Sequence, residues 1–341
     1  GSPILDVRDL LVHYRVRGEG ALFRRRETVH AVDGVSFILP SRKTLGLVGE
    51  SGCGKSTTGR NVLFLERPTG GTVLFDGTNL GRVPRRDLEA LRRRMQIVFQ
   101  DPVGSLNPRL TVGQLIGEPL LVHDIVPRPA RRERVAELLQ LVGLPEDAAG
   151  RYPHEFSGGQ CQRIGIARAL AAEPSLLVLD EPVSALDVSI QAQILQLLTD
   201  LQDRLGLSYL FIAHDLAVVG EMSDQVAVMY LGQIVELADR DALYATPHHP
   251  YTQALFSAVP VADPKVSRSR ERVVLSGEVP SSLAPPSGCR FRTRCPLAED
   301  RCRDETPRLR SVSHNGGLHT VACHFAEAAV RENPFRLPPL E

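Results

Sequence analysis

The sequence predicts an α/β fold whose core is a mainly parallel β-sheet covered on both faces by helices. Two observations predict it. Gly49–Thr57 reads GESGCGKST, a phosphate-binding loop of the form GxxxxGK[ST] set between an apolar strand and a helix. The apolar runs Ser175–Leu179 and Tyr209–Ala213 read as strands separated by a helical stretch, Ile190–Leu205. Strands that alternate with helices pair in parallel and bury both faces of the sheet.

From the N-terminus, Ile4–Tyr14 and Ala31–Leu39 alternate apolar and polar residues, as half-buried antiparallel strands do. Between them Gly18, Gly20 and Arg24–Arg26 read as a surface loop. Thr44–Val48 is a short buried strand, and a helix is expected from Lys55 to about Leu65. Met95–Phe99 is a further strand. Val112–Leu121 and Ala130–Val142 have helical periodicity, so Ser105 to about Gly165 reads as a mostly helical insert. Gln225–Leu237 reads as a hairpin turning at Gly232. After Tyr251–Val259 the composition changes: Pro260, Pro264, Pro280, Pro285 and Pro286 punctuate a segment of little periodicity. The expected boundary lies near Pro247, with a small metal-dependent appendage beyond it.

With 341 residues, 43% of them hydrophobic, the chain suits one large domain or two smaller ones. Lys plus Arg and Asp plus Glu number 40 each, so no whole-molecule field favours nucleic acid or an anionic membrane. The basic runs Arg24–Arg26, Arg92–Arg94 and around Arg131 read as solvated faces. No stretch has the uninterrupted apolar length of a membrane-spanning helix, and the N-terminus lacks a secretory pattern. Six cysteines, four of them between Cys289 and Cys323, point to metal or redox chemistry rather than a disulfide framework.

The loop chemistry follows from residue type. Gly49, Gly52 and Gly54, with Ser51 and Cys53 between them, let backbone amides wrap phosphates. Lys55 carries charge to the β and γ phosphates of ATP. Ser56 offers its hydroxyl to Mg²⁺, and the helix opening through Thr57 adds its positive dipole end. Leu176–Leu179 leads into Asp180 and Glu181, a carboxylate for the Mg²⁺ shell and a second one placed to polarise water. Glu181 is the expected general base, and His214, at the end of the next strand, the expected γ-phosphate sensor.

Phe156–Gln160 reads FSGGQ and stands shortly before that acidic strand. With the loop and Asp180–Glu181, it resembles the signature of the ABC ATPases. The resemblance implies a RecA-like parallel core with an antiparallel β subdomain over residues 1–104 and 166–246. It implies a helical subdomain over 105–165 and a C-terminal extension over 247–341. It also implies that Ser157, Gly158, Gly159 and Gln160 clamp ATP bound to a second ATPase domain. Gln100 resembles the glutamine that meets Mg²⁺ beside Ser56 and Asp180, and Ser184–Asp187 the loop that faces the partner site. Tyr14 is the expected adenine-stacking aromatic, with Phe23 its rival. Phe156 stands where Leu is usual. Cys161 stands where Gln, Arg or Lys is common, a change expected on the helix surface.

Phe99–Pro102, Ser105–Arg109, Asp187–Gln193, Met229–Gly232 and His249–Leu255 resemble ATP-binding subunits of oligopeptide/dipeptide and related nickel importers. The Asn107–Arg109 form resembles the second of the two paralogous ATPases in such systems. Val103 replaces an expected aromatic. The implied function is ATP hydrolysis energising peptide import at the cytoplasmic face of the membrane, with nickel or another small solute as the alternative substrate. The implied partners are a paralogous ATPase subunit or fused half, two permease subunits and an extracytoplasmic substrate-binding protein. A soluble ABC ATPase acting on nucleic acid or ribosomes is disfavoured by the balanced charge and the single cassette. Cys289, Cys295, Cys302 and Cys323, with His314, His319 and His324 nearby, suit a structural Zn²⁺ or a [4Fe–4S] cluster. Spacing does not separate the two; the family resemblance implies [4Fe–4S]. Cys53 and Cys161 are expected non-ligands, Cys53 open to thiol reagents.

Overall fold

The computed structural model describes residues 3–17, 26–258, 277–312 and 317–335. Phe23, His314, Pro260, Pro264 and the loop of Gly18, Gly20, Arg24 and Arg25 lie outside the described residues. The first half of the chain forms β1 (Pro3–Arg17), β2 (Arg26–Pro40), β3 (Thr44–Val48), α1 (Lys55–Val62), β4 (Gly70–Phe75), β5 (Thr78–Asn79), α2 (Arg85–Arg93), β6 (Met95–Val98), α3 (Val112–Val122), α4 (Arg131–Leu141) and α5 (Gly158–Leu170). The second half forms β7 (Leu176–Asp180), α6 (Val188–Leu205), β8 (Ser208–Ala213), α7 (Leu216–Met222), β9 (Gln225–Tyr230), β10 (Gln233–Asp239), α8 (Arg240–Ala245) and α9 (Pro250–Ala258). It closes with α10 (Asp300–Asp304), β11 (Arg310–Ser311), β12 (His319–Val321) and α11 (Ala326–Glu332). The architecture is mixed α/β with parallel and antiparallel pairs, and two compact units can be distinguished in it.

One unit comprises the residues up to Leu5, Leu39–Thr44 and Leu74–Ile212. Its strands lie in the order β8-β7-β6, all parallel, with Val178 opposite Leu210 on one side and Ile97 on the other. Every residue of β7 and β8 is buried, as two covered faces require. In α6, Ile194, Leu195, Leu198 and Leu201 recur at helical spacing and form its buried stripe. Gly206 then ends the helix in the left-handed conformation. The expected helical insert is present as α3, α4 and α5. Thr111 and Gln114 cap α3 reciprocally: Gln114 N–H donates to the Thr111 hydroxyl, and Thr111 N–H to Gln114 Oε1.

The other unit comprises Asp6–Ile38, Leu45–Val73 and the chain from Ala213 onward. Here β9 runs parallel to β3 and turns back into β10. The turn falls at Leu231 and Gly232, both at positive φ (42° and 80°), which suits the twist of a two-residue hairpin. Beyond the expected boundary at Pro247 two short strands belong to this sheet: β12 pairs antiparallel with β10, and β11 with β12.

Several elements escape the sequence reading: β4, β5, α2, α7, α8, β11 and β12. Helix α1 stops at Val62, short of Leu65, because Phe64 takes φ 52° and turns the chain out of the helix. The basic run at Arg93 and Arg94 is not a bare solvated face. Arg93 reaches Ala172 O and Glu173, while Arg94 pairs with Asp76 and stacks over Phe75.

Candidate nucleotide site

In the second unit the phosphate-binding loop leaves β3 and opens α1. Glycine is required at two points. A Cβ on Gly49 would lie 2.1 Å from the Met229 carbonyl oxygen, and one on Gly54, at φ 107°, would lie 2.2 Å from Ala31 O. The loop is pinned by Cys53 N–H to Glu50 O (3.2 Å), Gly232 N–H to Cys53 O (2.8 Å) and the Thr58 hydroxyl to Gly54 O (3.0 Å). Ser51 and Gly52 are exposed at its crest; Ser56 and Thr57 are half-buried in the first helical turn. Lys55 is buried, and its ammonium donates to Gly49 O (2.7 Å) and Glu50 O (3.1 Å). Amides at a helix start with a lysine folded over them form an anion site.

Cys53 is buried and burial pushes its thiol pKa up, so the expected openness to thiol reagents is corrected: little thiolate forms, and the sulfur faces inward. Tyr14 lies exposed on β1, its hydroxyl donating to Glu66 Oε2 (2.6 Å), with burial of that end raising its pKa first and Glu66 next. His214 is exposed directly after β8, and Asp215 accepts the Ala217 N–H (2.8 Å) to cap α7.

In the first unit, Asp180 is buried at the end of β7 and Glu181 follows it at φ 48°, a left-handed backbone rare for a residue with a Cβ. That conformation is held by Glu181 N–H to Ile212 O (2.9 Å). It points the carboxylate to Gln100, whose Nε2 donates to Glu181 Oε2 at 2.9 Å. The structure thus brings Gln100 and Glu181 together beside Asp180. Ser184 donates to Glu181 O (3.1 Å), and Gln191 Nε2 to Val183 O (3.0 Å) and Leu186 O (2.8 Å). These bonds fix the turn that ends at the exposed Asp187; Gln191 is a bracing residue the sequence did not single out.

Ser157 is the N-cap of α5. Its hydroxyl accepts from Gln160 N–H (3.3 Å) and Gln160 Oε1 accepts from Ser157 N–H (3.0 Å). A Cβ on Gly159 would stand 2.5 Å from Ile190 Cγ2, so α5 and α6 approach closely only because that position is glycine. Gly158 stays partly open at the helix start, and Phe156 lies under the Arg151 guanidinium. Cys161 does not alter the helix surface. It is fully buried, its thiol donating to Pro153 O (3.5 Å), and burial raises its pKa.

The four C-terminal cysteines share one locality in the second unit. Cys302 sits on α10 and its carbonyl accepts the Cys289 N–H (2.7 Å). Backbone N–H groups face three of the sulfurs: Phe291 and Arg292 at Cys289, Leu297 at Cys295, and Phe325 at Cys323 (3.4 Å). Burial first, and then the other sulfurs, push Cys295 up to about 12 and Cys323 up to about 12. Any cation bound there must displace protons. His319 and His324 are engaged elsewhere, at Glu236 Oε1 (2.8 Å) and Glu305 O (3.0 Å). Sequence reading also missed that Tyr251 and Arg294 touch the phosphate-binding loop at Glu50.

The family model for the ABC transporter matches residues 32–184, and that for the oligopeptide/dipeptide transporter C-terminal region matches 235–302. The chain is 52% identical to the oligopeptide transport ATP-binding protein AppF of Bacillus subtilis, over 95% of this chain and 98% of that protein. It is 54% identical to a probable peptide ABC transporter ATP-binding protein of Sinorhizobium fredii, over 96% and 91%. Among solved structures, cbiO1 of Clostridium perfringens, part of an ABC transporter complex, matches with TM-score 0.62 at 30% identity, over 72% of this chain and 92% of that one. A dimeric ATP-binding cassette in a post-hydrolysis state, bound to ADP and phosphate, matches with TM-score 0.61 at 28% identity, over 69% and 98%. The chain belongs to the ATP-binding subunits of the oligopeptide/dipeptide branch of the ABC transporters.

Proposed function

We propose that this chain binds and hydrolyses ATP to energise peptide import, as one half of a pair of related ATPase domains. The observation that carries the reading is Glu181, held at φ 48° and bonded to Gln100 beside the buried Asp180. Backbone strain clusters at functional sites, and here it falls on a carboxylate aimed at Gln100 next to a buried aspartate. Lys55 and the amides of Gly49–Thr57 hold the β and γ phosphates. Glu181 orients the attacking water and takes its proton, Gln100 holds Glu181, and His214 senses the γ-phosphate. Ser56, Gln100 and Asp180 are hard oxygen donors that would hold Mg²⁺, which when bound would neutralise charge on the phosphates. Ser157 and the start of α5 serve the nucleotide of the partner domain, and Asp187 faces that partner. Tyr14 stacks on adenine.

The partners are a paralogous ATPase subunit or fused half, which would make this chain the second of such a pair, two permease subunits and an extracytoplasmic substrate-binding protein. The chain then works peripherally on the cytoplasmic face; among the described residues no helix is long and apolar enough to cross a membrane. Residues 1–104 and 166–246 act as the nucleotide-binding core, 105–165 as the helical subdomain and 247–341 as the extension. Glu181→Gln is expected to bind ATP normally while turnover falls by about a hundredfold or more. Near-normal turnover measured on the assembled transporter would refute the role of Glu181.

Cys289, Cys295, Cys302 and Cys323 form a soft donor set, three of them with N–H groups on their sulfurs, which supports a [4Fe–4S] cluster that staples the C-terminal segment. Such a group supplies stability to a region with little apolar core of its own. Anaerobically purified full chain should show a broad band near ~400 nm with about four iron and four sulfide. One zinc and no iron would replace the cluster with a zinc staple.

A further inference from the structure

Glu50 lies inside the phosphate-binding loop, and each of its polar groups is held. Its N–H donates to the Tyr251 hydroxyl (2.8 Å), and its carbonyl accepts from the Lys55 ammonium (3.1 Å). Its carboxylate accepts from both terminal nitrogens of Arg294, at 2.8 and 3.1 Å. Tyr251 is fully buried, and it packs with Tyr230 and Phe291 at ring-centroid distances of 4.7 and 5.4 Å. The Arg294 side chain is 6% exposed, its guanidinium lies 6.0 Å over the Tyr230 ring, and its Nε has no hydrogen-bond partner. A planar guanidinium buried at the cost of one unsatisfied N–H, yet bidentate on one carboxylate, is placed there for that carboxylate.

We infer that Arg294 is a positioning residue for ATP binding: by clamping Glu50 it fixes the loop segment whose carbonyls hold Lys55. The chain of contacts runs from the cysteine-rich segment to the phosphate-binding lysine: Arg294 to the Glu50 side chain, and the Glu50 carbonyl to Lys55. Arg290 adds a second attachment from the same segment, donating to Asp33 on β2 and to Leu231 O at the hairpin turn. When Arg294 lets go, the half-buried Glu50 carboxylate loses its two-pronged partner, the loop segment it anchors is freed to shift, and Lys55 loses its preset place. Lysine cannot reproduce the two-pronged contact.

This inference rests on reading Gly49–Thr57 as the ATP site, and one experiment separates the two. Mg-ATP affinity is titrated with a fluorescent ATP analogue on the full-length chain as wild type, Lys55→Ala, Arg294→Gln, Arg294→Lys, Glu50→Gln and the double variant Arg294→Gln/Glu50→Gln. Melting curves are recorded alongside. Wild type should bind and Lys55→Ala should not; failure of that contrast sinks the ATP-site reading itself. Arg294→Gln and Glu50→Gln should each weaken binding by about tenfold, which is 1.4 kcal/mol. Arg294→Lys should recover part of the loss, and the double variant should bind no worse than either single one. In turnover the effect should fall on KM, with kcat within about twofold. Unchanged affinity in Arg294→Gln, fully multiplicative losses in the double variant, or weakening that only tracks the unfolded fraction would each overturn the positioning role.

Discussion

His249 is useful to the fold only as a neutral imidazole. It is 1% exposed, and its Nδ1 accepts the Tyr251 N–H at 3.0 Å, which requires a lone pair on that nitrogen. Burial lowers its pKa to about 4, against the raising pull of Glu236, whose carboxylate accepts the His248 and His249 N–H groups. Between pH about 6.5 and 4 the unfolded chain takes up a proton here and the folded chain does not. The stability is therefore complete above pH about 6.5 and falls as pH drops towards 4, by about 3 kcal/mol in all. His249→Asn, which keeps an acceptor for Tyr251, should melt with a flatter dependence on pH over that window. Equal slopes for variant and wild type would contradict it. At this scale the sequence is legible where a short motif sets the local backbone: Lys55 opens α1, Ser157 caps α5 and Glu181 follows β7, as the motifs place them. It is not legible where meaning depends on a distant neighbour. Cys53 and Cys161 look reactive or superficial until the surroundings that bury them are in place. No feature of the sequence singles out Arg294 for Glu50 across 244 positions, when 40 cations face 40 anions.

Helix α5 shows how one element serves two purposes. Its first turn is closed by the reciprocal bonds of Ser157 and Gln160, and Gly159 lets it approach α6. The groups that stabilise the helix start are also the ones assigned to the partner's nucleotide. Ser157→Ala should cost about 1 kcal/mol of stability as a lost N-cap. It should cost far more in ATPase activity of the assembled pair, measured against melting of the same sample. An activity loss no larger than the melting shift explains would leave Ser157 as a cap alone. Elements with long, strong patterns were legible: α3, α4, α6, β7 and β8 stand where periodicity puts them. Short ones were not. Strand β5 has two residues, α8 has six, and β11 two, too few for a period to register.

For the whole molecule, the α/β class and the hairpin at Gly232 were readable because strand and helix alternate and the turn residue is glycine. The destination of the C-terminal segment was not. Residues after Pro247 look like a separate appendage because prolines erase their periodicity, yet three of them, His319–Val321, pair with β10. Strand pairing is decided by backbone bonds between distant segments, which leave little trace in composition.

That pairing has a consequence for how the protein survives in a crowded cell. Strand β10 is buried from Ile234 to Ala238, and without β12 its Glu236–Ala238 stretch would offer unpaired N–H and C=O groups to any other chain. Such an edge is a template for polymerisation. With β12 in place the sheet ends instead at β11, two exposed residues whose Arg310 is locked onto Glu327 by two bonds of 2.7 Å. An edge so short and so charged recruits nothing. The C-terminal segment thus acts as a terminator of sheet growth, and a chain that lost it to a protease would lay open a strand edge for other chains to pair with.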